Sequence, residues 1–332
     1  MYSSILLNQF LNRLVNKVLG QHVTIFTLHR AVGEHGLTGT APDLLRTFLE
    51  SLIKAGVAFI SIDDLIKRRS TLPTDQVFVC FTIDDGYADQ VTELVPILLE
   101  YHVQPTLFII TSLVDTGILP WDARIAAAVK ASTLETFALS DLGVPGGNQK
   151  PYTDKRLFRR QISEYAKKLQ PQQREDFVQR CVTRLSSDAD CQEQVNKGYK
   201  PTSWQALQAL EKSGLNIGSH THSHQPLSTL GESQIESEMT VAKGLIEKYF
   251  ASPSKTICYP VGMAEDFDQR CQTIAQNLGY HGGVTAISGY TTVKTLNENP
   301  FTIPRFSFPT DMQNACRYVS WLEKLRPSNK ID

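Results

Sequence analysis

The feature that most constrains the fold of this chain is an alternation of short apolar segments with longer amphipathic ones. The short segments are rich in Val, Ile and Phe, which is typical of buried parallel strands. They lie at Val23–Leu28, Val57–Ile60, Val77–Thr82, Thr106–Ile110, Leu215–Ser219, Thr256–Tyr259, Gly283–Ala286 and Thr302–Arg305. The longer segments repeat apolar residues at helical spacing, and they lie at Pro42–Ala55, Asp89–Tyr101, Glu232–Phe250, Glu265–Leu278 and Asp311–Leu325.

Repeated strand–helix units predict a parallel α/β architecture. The number of candidate strands favours a barrel over an open, doubly wound sheet. No GxGxxG segment follows the first strand, so a dinucleotide-binding fold has no support.

One long segment, about residues 115–201, interrupts the alternation because it contains no convincing strand. A Gly-rich loop at residues 143–148 precedes two polar helices, predicted at Lys155–Leu169 and Gln172–Leu185. The segment has few large apolar residues with which to build a core of its own. We therefore predict a helical insertion that covers the strand ends as a lid or substrate wall, within a single domain that spans residues 1–332.

The first residues of the chain predict an amphipathic helix at about residues 1–20, since Leu7, Leu11, Leu14 and Val18 recur at helical spacing. Two interpretations stay open: the helix closes one end of the domain, or it makes weak contact with a membrane surface. Polar residues interrupt the apolar run, which argues against a secretory signal, and no stretch reaches the roughly 18 apolar residues of a membrane span. We expect a cytoplasmic protein, peripheral to a membrane if the helix binds one.

Composition excludes several classes of protein. There are 33 Lys and Arg against 34 Asp and Glu, for a formal charge of −1, and no basic block, so a nucleic acid is not an expected partner. A hydrophobic fraction of 41% is too high for a disordered chain. The six cysteines form no CxxC pair and are expected to be reduced thiols.

Candidate catalytic residues follow four of the predicted strands, at the position where barrels place their active sites. Asp84 and Asp85 come directly after an apolar strand and precede Gly86. Buried carboxylates are costly unless something neutralises them. A metal ion does so, because one carboxylate can bind the ion while its neighbour accepts a proton. A solvated Asp-Asp-Gly turn is the alternative.

A second strand runs into His220–His224, which holds three of the eight histidines. His220 and His224 are four residues apart, so a helical turn would place both rings on one side, as metal binding needs. Tyr259–Gly262 follows a third strand, and a turn of this kind exposes backbone N–H groups that could face a developing oxyanion. His29 follows the first strand.

Taken in order, Thr82–Gly86, His220–His224 and Tyr259–Gly262 resemble the first three motifs of the polysaccharide deacetylases, the NodB-homology or family 4 carbohydrate esterases. The opening Thr-Leu-His-Arg segment and the closing Ile303–Arg305 resemble one branch of this family. The resemblance covers about residues 23–305 apart from the insertion. It implies a distorted (β/α)7 barrel, which the strand–helix alternation accommodates.

Carried over onto this chain, the resemblance implies that Asp85, His220 and His224 hold one divalent ion, zinc first, with cobalt or nickel as alternatives. Asp84 would be the general base on a water whose pKa the ion lowers from about 16 toward about 7. The ion and the Val261 backbone N–H would stabilise the oxyanion. The implied reaction removes an N-acetyl group from an amino sugar of a glycan or glycan precursor.

Two features depart from the family pattern. Many members have Arg where this chain has Cys258, and many have a late Leu-x-His motif that supplies the general acid, whereas no histidine follows His281. We therefore predict that His29 is the acid and that Arg305 replaces the missing arginine beside Asp84.

Three residues are predicted to contact the sugar: Tyr259, Pro260 and Trp121. Trp121, with Asp122 beside it at the start of the insertion, is a candidate stacking platform, and ordinary packing is the alternative for it.

Other functions fit parts of the pattern. Two histidines and a carboxylate also describe the facial triad of non-haem iron oxygenases, although Asp84 then has no role. A non-catalytic glycan-binding protein with a decayed site would explain the missing arginine and histidine. An O-acetyl esterase would use the same site as an amidase.

Overall fold

The computed structural model describes residues 5–32, 39–145 and 150–326. The start of the predicted first helix (residues 1–4), positions 146–148 of the Gly-rich loop and residues 327–332 of the predicted domain therefore lie outside the described residues. The strands are β1 (His22–Leu28), β2 (Ala58–Phe59), β3 (Phe78–Asp85), β4 (Thr106–Ile109), β5 (Asn216–Ser219), β6 (Thr256–Cys258), β7 (Gly282–Val284), β8 (Thr291–Thr292) and β9 (Phe306–Ser307).

These strands form one curled sheet in the order β7-β6-β5-β4-β3-β1-β8, with β2 on β3 and β9 on β1. Every pairing is parallel except that of β8 with β1. A bridge between Val284 and Ile303 joins β7 to the segment that leads into β9. The sheet therefore curls into a distorted barrel. The predicted strand at Thr302–Arg305 makes only this bridge, and regular pairing begins at Phe306.

The helices cover the outside of the sheet and one end of it. They are α1 (Gln9–Leu19), α2 (Pro42–Lys54), α3 (Ile62–Arg68), α4 (Val95–Glu100), α5 (Thr111–Thr116), α6 (Trp121–Ala131), α7 (Lys155–Lys167), α8 (Pro171–Leu185), α9 (Asp188–Gly198), α10 (Trp204–Glu211), α11 (Glu232–Tyr249), α12 (Gln269–Asn277), α13 (Val293–Glu298), α14 (Met312–Val319) and α15 (Trp321–Lys324). The helix predicted at Asp311–Leu325 is interrupted because Ser320 has an extended backbone, with φ −79° and ψ 158°.

Alternation along β3 decides which side chains reach the inside of the barrel. Successive residues of a strand point to opposite faces. Phe78 and Cys80 belong to the apolar cluster that also contains residues of β1, β4, β6 and β7, so they face inward. Thr82 and Asp84 follow on the same face and are buried. The polar end of this row lies at the carboxyl end of the strand.

The helical insertion has a core of its own, so the expectation that it lacked one is wrong. Buried residues of α6, α7, α8 and α9 form one cluster that includes Ile125, Phe158 and Phe177. Four alanines of α6 are buried in it (Ala123, Ala126, Ala127 and Ala128), and small side chains let neighbouring helices approach closely. Tyr87 and Ile110 of the barrel belong to the same cluster, so the insertion packs directly on the strand ends.

The first helix, α1, lies at the amino ends of the strands. Gln21, between α1 and β1, donates to the carbonyl of Gln76 just before β3, at 2.8 Å. Among the described residues, no helix is both long and apolar enough to cross a bilayer. All six cysteines are described, and all are buried free thiols.

Candidate functional site

A cavity of about 750 Å³ lies at the carboxyl ends of β1, β3, β5 and β6, and α7 of the insertion forms one of its walls. Its lining includes His29, Asp84, Asp85, Trp121, Asp122, His220, His224, Tyr259, Val261 and Arg305. The structure thus brings together all of the site residues expected from the sequence except Pro260, which is buried and does not line the cavity.

The end of β3 separates the two adjacent carboxylates. Asp84 keeps the inward direction of the strand, whereas Asp85 has φ 94° and Gly86 has φ 102°. A non-glycine residue at positive φ costs about 1–3 kcal/mol and persists only where surrounding contacts impose it. The sharp turn points the two carboxylates in different directions. A solvated Asp-Asp-Gly turn, the alternative interpretation, would not need such a strained backbone.

Gln90 imposes part of this turn. It is fully buried in a π-helical turn at Gln90–Leu94, and its side-chain oxygen accepts from the N–H groups of Gly86 and Tyr87, both at 2.9 Å. Its amide nitrogen donates to the carbonyls of His29 and Asp84. One side chain therefore ties the end of β1 to the end of β3. Sequence reasoning missed it, since a lone glutamine carries no recognisable signal.

The histidine segment is a loop, so the expectation of a helical turn is wrong. Thr221 has φ 63° and His224 has φ 57°, which breaks any helix. Glu238 of α11 holds the loop, because its carboxylate accepts from the backbone N–H groups of His222 and Ser223 at 3.0 and 2.8 Å. His222 points away from the cavity, with its Nδ1 2.9 Å from the Thr111 hydroxyl.

His220 is held as a neutral ring with one nitrogen free. Its Nδ1 lies 2.9 Å from the carbonyl oxygen of Cys258, which can only accept, so Nδ1 carries the proton. Its Nε2 is 3.8 Å from Asp85 Oδ1. Burial, followed by the charge of His224, lowers the pKa of His220 to about 3. A neutral imidazole oriented through its other nitrogen is the form that binds a metal ion.

His224 stands beside His220, with 4.9 Å between the ring centroids. Burial alone would lower the pKa of His224, but the carboxylates of Asp122 and Asp85 outweigh burial and raise it. Asp122 Oδ1 is 3.3 Å from His224 Nδ1. The indole N–H of Trp121 donates to the His224 carbonyl at 2.9 Å. The insertion therefore supports a residue of the barrel, which no local sequence pattern indicates.

The residues present fit a divalent cation. Asp85, His220 and His224 each offer one ligand atom, and these atoms lie within 4.8 Å of one another. Two imidazoles and one carboxylate form a three-ligand set that leaves positions open, as catalytic zinc sites do. Within the described chain, the buried His224 Nδ1 and Asp122 Oδ1 make no hydrogen bond of good geometry.

A second group, Asp84, His220 and Cys258, also lies within 4.8 Å, but two of its members are committed elsewhere. Arg305 donates to both oxygens of Asp84, at 2.8 and 2.7 Å, and to Cys258 Sγ at 3.2 Å. Burial raises the pKa of the Cys258 thiol well above its usual value. The set with Asp85 and His224 is therefore the better cation site.

Arg305 also decides the charge of Asp84. Burial alone would raise the pKa of this carboxyl, but the Arg305 guanidinium and its two hydrogen bonds outweigh burial and hold the pKa well below its usual range. Thr27 donates a further hydrogen bond to Asp84 Oδ2 at 3.2 Å. His29 is half-exposed on the opposite side, with its Nε2 3.7 Å from the same oxygen.

The third motif, Tyr259–Gly262, lines the cavity mainly with backbone atoms. Val261 has φ 61°, and its N–H finds no acceptor among the described residues. The ring of Tyr259 is buried and stacks on Phe267, with 4.4 Å between centroids. Trp121 is also mostly buried, with the Arg174 guanidinium 5.6 Å from its ring. Neither aromatic ring offers a broad free face to the cavity.

Backbone strain is concentrated around this cavity. The described chain has five non-glycine residues with positive φ, and four of them belong to the three motifs: Asp85, Thr221, His224 and Val261. Strained conformations cluster at functional sites because the surrounding structure imposes them there.

Comparisons with known proteins agree with this geometry. The family described as "Polysaccharide deacetylase" matches residues 71–283 of the chain. A protein of Bacillus subtilis (strain 168), "Putative polysaccharide deacetylase YxkH", is 32% identical over 83 residues, which cover 25% of this chain and 29% of that protein. The chain therefore matches less than a third of the length of this relative.

Two solved structures are similar over nearly the whole chain. The Streptococcus pyogenes deacetylase PplD, in complex with acetate, has a TM-score of 0.57 and 16% identity, covering 88% of this chain and 94% of that one. IcaB from Ammonifex degensii has a TM-score of 0.56 and 14% identity, covering 92% and 98%. Likeness at such identities concerns the fold, and it confirms the distorted (β/α)7 barrel. With the family match spanning more than half of its length, the chain belongs to the polysaccharide deacetylase family.

Proposed function

We propose that this protein is a metal-dependent hydrolase that removes an N-acetyl group from an amino sugar of a glycan or glycan precursor. The observation that carries the proposal is the convergence of Asp85, His220 and His224 beside Asp84, a buried carboxylate kept ionised by Arg305. The two carboxylates end β3 and the two histidines follow β5, yet all four side chains share one cavity.

Asp85, His220 and His224 would hold the ion, for which we propose zinc, with cobalt or nickel as alternatives. When bound, such an ion lowers the pKa of a water toward neutrality and polarises a carbonyl oxygen. His220 is suited to this task because its free Nε2 faces Asp85. Asp122 would set the orientation of the His224 ring, which it meets at 3.3 Å.

Asp84 is proposed as the general base. Arg305 and Thr27 fix its position, so the carboxylate is oriented before substrate arrives. Its Oδ2 lies between Arg305 and His29. The half-exposed His29 can protonate the departing amine from the cavity side. The Val261 N–H is free to donate to the oxyanion, and one such donor is worth roughly 3 kcal/mol of transition-state stabilisation.

The substrate we propose is an acetylated sugar bound between the strand ends and α7, in contact with Tyr259 and Trp121, which line the cavity, whereas Pro260 does not. A cytoplasmic location, which we also propose, favours a glycan precursor over a finished extracellular polymer.

Acetate release tests the proposal directly. Purified protein loaded with zinc, cobalt or nickel is incubated with N-acetylated oligosaccharides, with an O-acetylated glycan in parallel and a chelator-treated sample as blank. We expect acetate from the N-acetylated substrates and none after metal removal. Bound metal is measured for His220→Ala and for His281→Ala, an exposed histidine far from the cavity; only the former should lose the ion.

A protein that binds one ion yet releases no acetate from any substrate would be a glycan-binding protein, against the proposal. Release from esters alone would make it an O-acetyl esterase.

A further inference from the structure

The first helix, α1, is oriented with a polar face toward the protein. Asn12 and Asn16 are each 1% exposed, although asparagine is usually a surface residue. Their side-chain oxygens accept hydrogen bonds from the buried ammonium of Lys324, at 3.4 and 2.8 Å. Asn16 also donates to Gln21 at 3.1 Å. This buried network fixes the rotation of α1 about its axis.

The consequence of this rotation is an apolar face directed to solvent. Phe10, Leu14 and Val18 follow one another at helical spacing and are 73%, 49% and 73% exposed. Ile5, which precedes α1, is exposed as well, and its carbonyl is 3.4 Å from the indole nitrogen of Trp321. Leu325, just after α15, is exposed as well. We call the surface formed by Phe10, Leu14 and Val18 the α1 face. Clusters of exposed apolar side chains mark interaction sites more often than chance.

The charges around the α1 face are positive. Arg13 and Lys17 are exposed and directly precede Leu14 and Val18 in the chain. Residues 1–33 contain no Asp or Glu. The acidic residue of α15, Glu323, is buried and ion-paired with Arg317 and Arg326. An apolar stripe bordered by basic residues, which form no ion pair with a described carboxylate, matches the chemistry of an anionic lipid surface.

We propose that the α1 face docks this protein on the surface of an anionic membrane. A helix of 11 residues is about 16 Å long, too short to span a bilayer, and it is apolar on only part of its circumference. It would therefore lie in the plane of the interface, with Phe10, Leu14 and Val18 among the acyl chains and Arg13 and Lys17 at the phosphates.

A second copy of the chain fits the same face less well. A stripe about 16 Å long and roughly 10 Å wide offers a few hundred Å² at most, whereas a stable interface buries about 800 Å² on each partner. A two-fold contact through this stripe would also place the basic residues that border it, Arg13 and Lys17, on both sides of one interface. A lipid surface needs neither the larger area nor a complementary shape.

Docking of this kind leaves the cavity accessible. The α1 helix lies at the amino ends of the strands, and the cavity opens at their carboxyl ends. The proposal does not depend on the proposed deacetylase activity.

Vesicle co-sedimentation of the full chain tests it. Phosphatidylcholine vesicles are compared with vesicles in which one third of the lipid is phosphatidylglycerol, for the wild type, Phe10→Ser/Leu14→Ser/Val18→Ser, and Arg13→Gln/Lys17→Gln. We expect wild-type binding to the anionic vesicles, a loss of at least about tenfold in the apolar variant, and about tenfold in the basic variant. Ile118→Ser is the matched control, because Ile118 is an exposed apolar residue outside the α1 face, and it should bind as wild type.

Circular dichroism checks that each variant is folded, and sedimentation velocity gives the oligomeric state. The proposal is overturned if the wild type ignores anionic vesicles, or if the triple variant still binds them. A dimer that disappears in the triple variant, without vesicle binding in the wild type, would assign the face to self-association instead. The basic variant keeps the test decisive if the triple variant misfolds, because both of its substitutions are at exposed positions.

Discussion

The two ends of the barrel both bury ionisable side chains, but they treat charge in opposite ways. At the carboxyl end, Asp84 and Arg305 are almost fully buried, and each stabilises the charged form of the other. The pKa of Asp84 is held well below its usual value and that of Arg305 well above, because their mutual attraction outweighs burial.

At the amino end, the buried bases have no carboxylate partner among the residues that the structure describes. Burial lowers the pKa of Lys324 to about 8, and the partners of its ammonium within the described chain are the neutral side chains of Asn12 and Asn16. Burial and the charge of Lys324 lower the pKa of His22 to about 4. Burial at the amino end therefore disfavours the charged forms of Lys324 and His22. At the carboxyl end, the attraction between Asp84 and Arg305 stabilises both charged forms.

This difference in pKa distinguishes the structural cluster of Lys324, Asn12 and Asn16 from the pair Asp84–Arg305, which lines the cavity. Arg305 keeps the Asp84 carboxylate ionised inside the barrel, and an ionised carboxylate can accept a proton. His220 also lies at the carboxyl end, but burial keeps its ring neutral. A neutral ring is the form that can bind a cation. Burial alone therefore does not identify a functional site: the buried Asp84–Arg305 pair lines the cavity, whereas the buried bases Lys324 and His22 do not.

The largest expected effect comes from removing the charge of Asp84. We expect Asp84→Asn to lower kcat for acetate release by about 10²–10⁴-fold, because a positioned general base contributes that much. Metal content should stay near that of the wild type, since Asp85, His220 and His224 are unchanged. Steady-state kinetics with metal analysis checks both. Retention of more than a tenth of the wild-type kcat would remove Asp84 from the role of base.

Removing the other partner should damage the fold as well as the rate. Arg305→Gln leaves the Asp84 carboxylate buried without its counter-ion, and breaking a buried pair costs about 3–5 kcal/mol of unfolding free energy. Urea unfolding measures the loss. The matched variant is Arg317→Gln, whose guanidinium makes a more exposed contact with Glu323 at 3.5 Å, and it should cost about 1 kcal/mol or less. Equal costs for the two would show that the two ends do not differ in the way described.

Acid should destabilise the amino end by charging a buried base that is neutral in the folded protein. His22 has a pKa of about 4 in the folded protein and about 6.5 when unfolded. Its contribution to stability is complete above pH 6.5 and is lost as the pH falls toward 4, because the unfolded chain binds the proton first. The loss approaches about 3 kcal/mol at pH 4.

Urea unfolding of the wild type and of His22→Gln between pH 7 and pH 4 isolates this contribution. The stability advantage of the wild type over His22→Gln should shrink across this window. His281→Gln, at an exposed position, should follow the wild type at every pH. A constant difference between wild type and His22→Gln would mean that His22 is not kept neutral by its burial.

Features set by neighbouring residues in the chain could be predicted from the sequence, whereas features set by contacts between distant residues could not. Local periodicity was enough for most strands and helices. Asp84, Asp85, His220 and His224 could be found because each follows a strand whose carboxyl end opens on the cavity. The rotation of α1 could not be predicted, because both inward-facing asparagines, Asn12 and Asn16, bind Lys324, at the far end of the chain.

The contacts that support the site were also beyond sequence reasoning. Glu238 holds the histidine loop from a neighbouring helix, and Gln90 joins two strand ends through a π-helical turn. Neither residue belongs to a motif. The core of the insertion was missed because close packing of alanines on α6 replaces the large apolar residues that a sequence search looks for.

The smallest expected effect concerns Trp121, where two roles can be separated. Its indole N–H supports the His224 carbonyl, and its ring was also predicted to stack on sugar. Trp121→Phe keeps an aromatic ring and removes only the hydrogen bond, which is worth about 0.5–1.5 kcal/mol. Trp121→Leu removes both.

If support of His224 is the main role, both variants should weaken metal binding by a similar factor, up to about tenfold, with little change in KM. If stacking matters, Trp121→Leu should raise KM several-fold while Trp121→Phe leaves KM near the wild-type value. The burial of the indole, with Arg174 over its ring, favours the first outcome. A rise in KM in Trp121→Leu alone would instead give the insertion a direct part in holding the sugar.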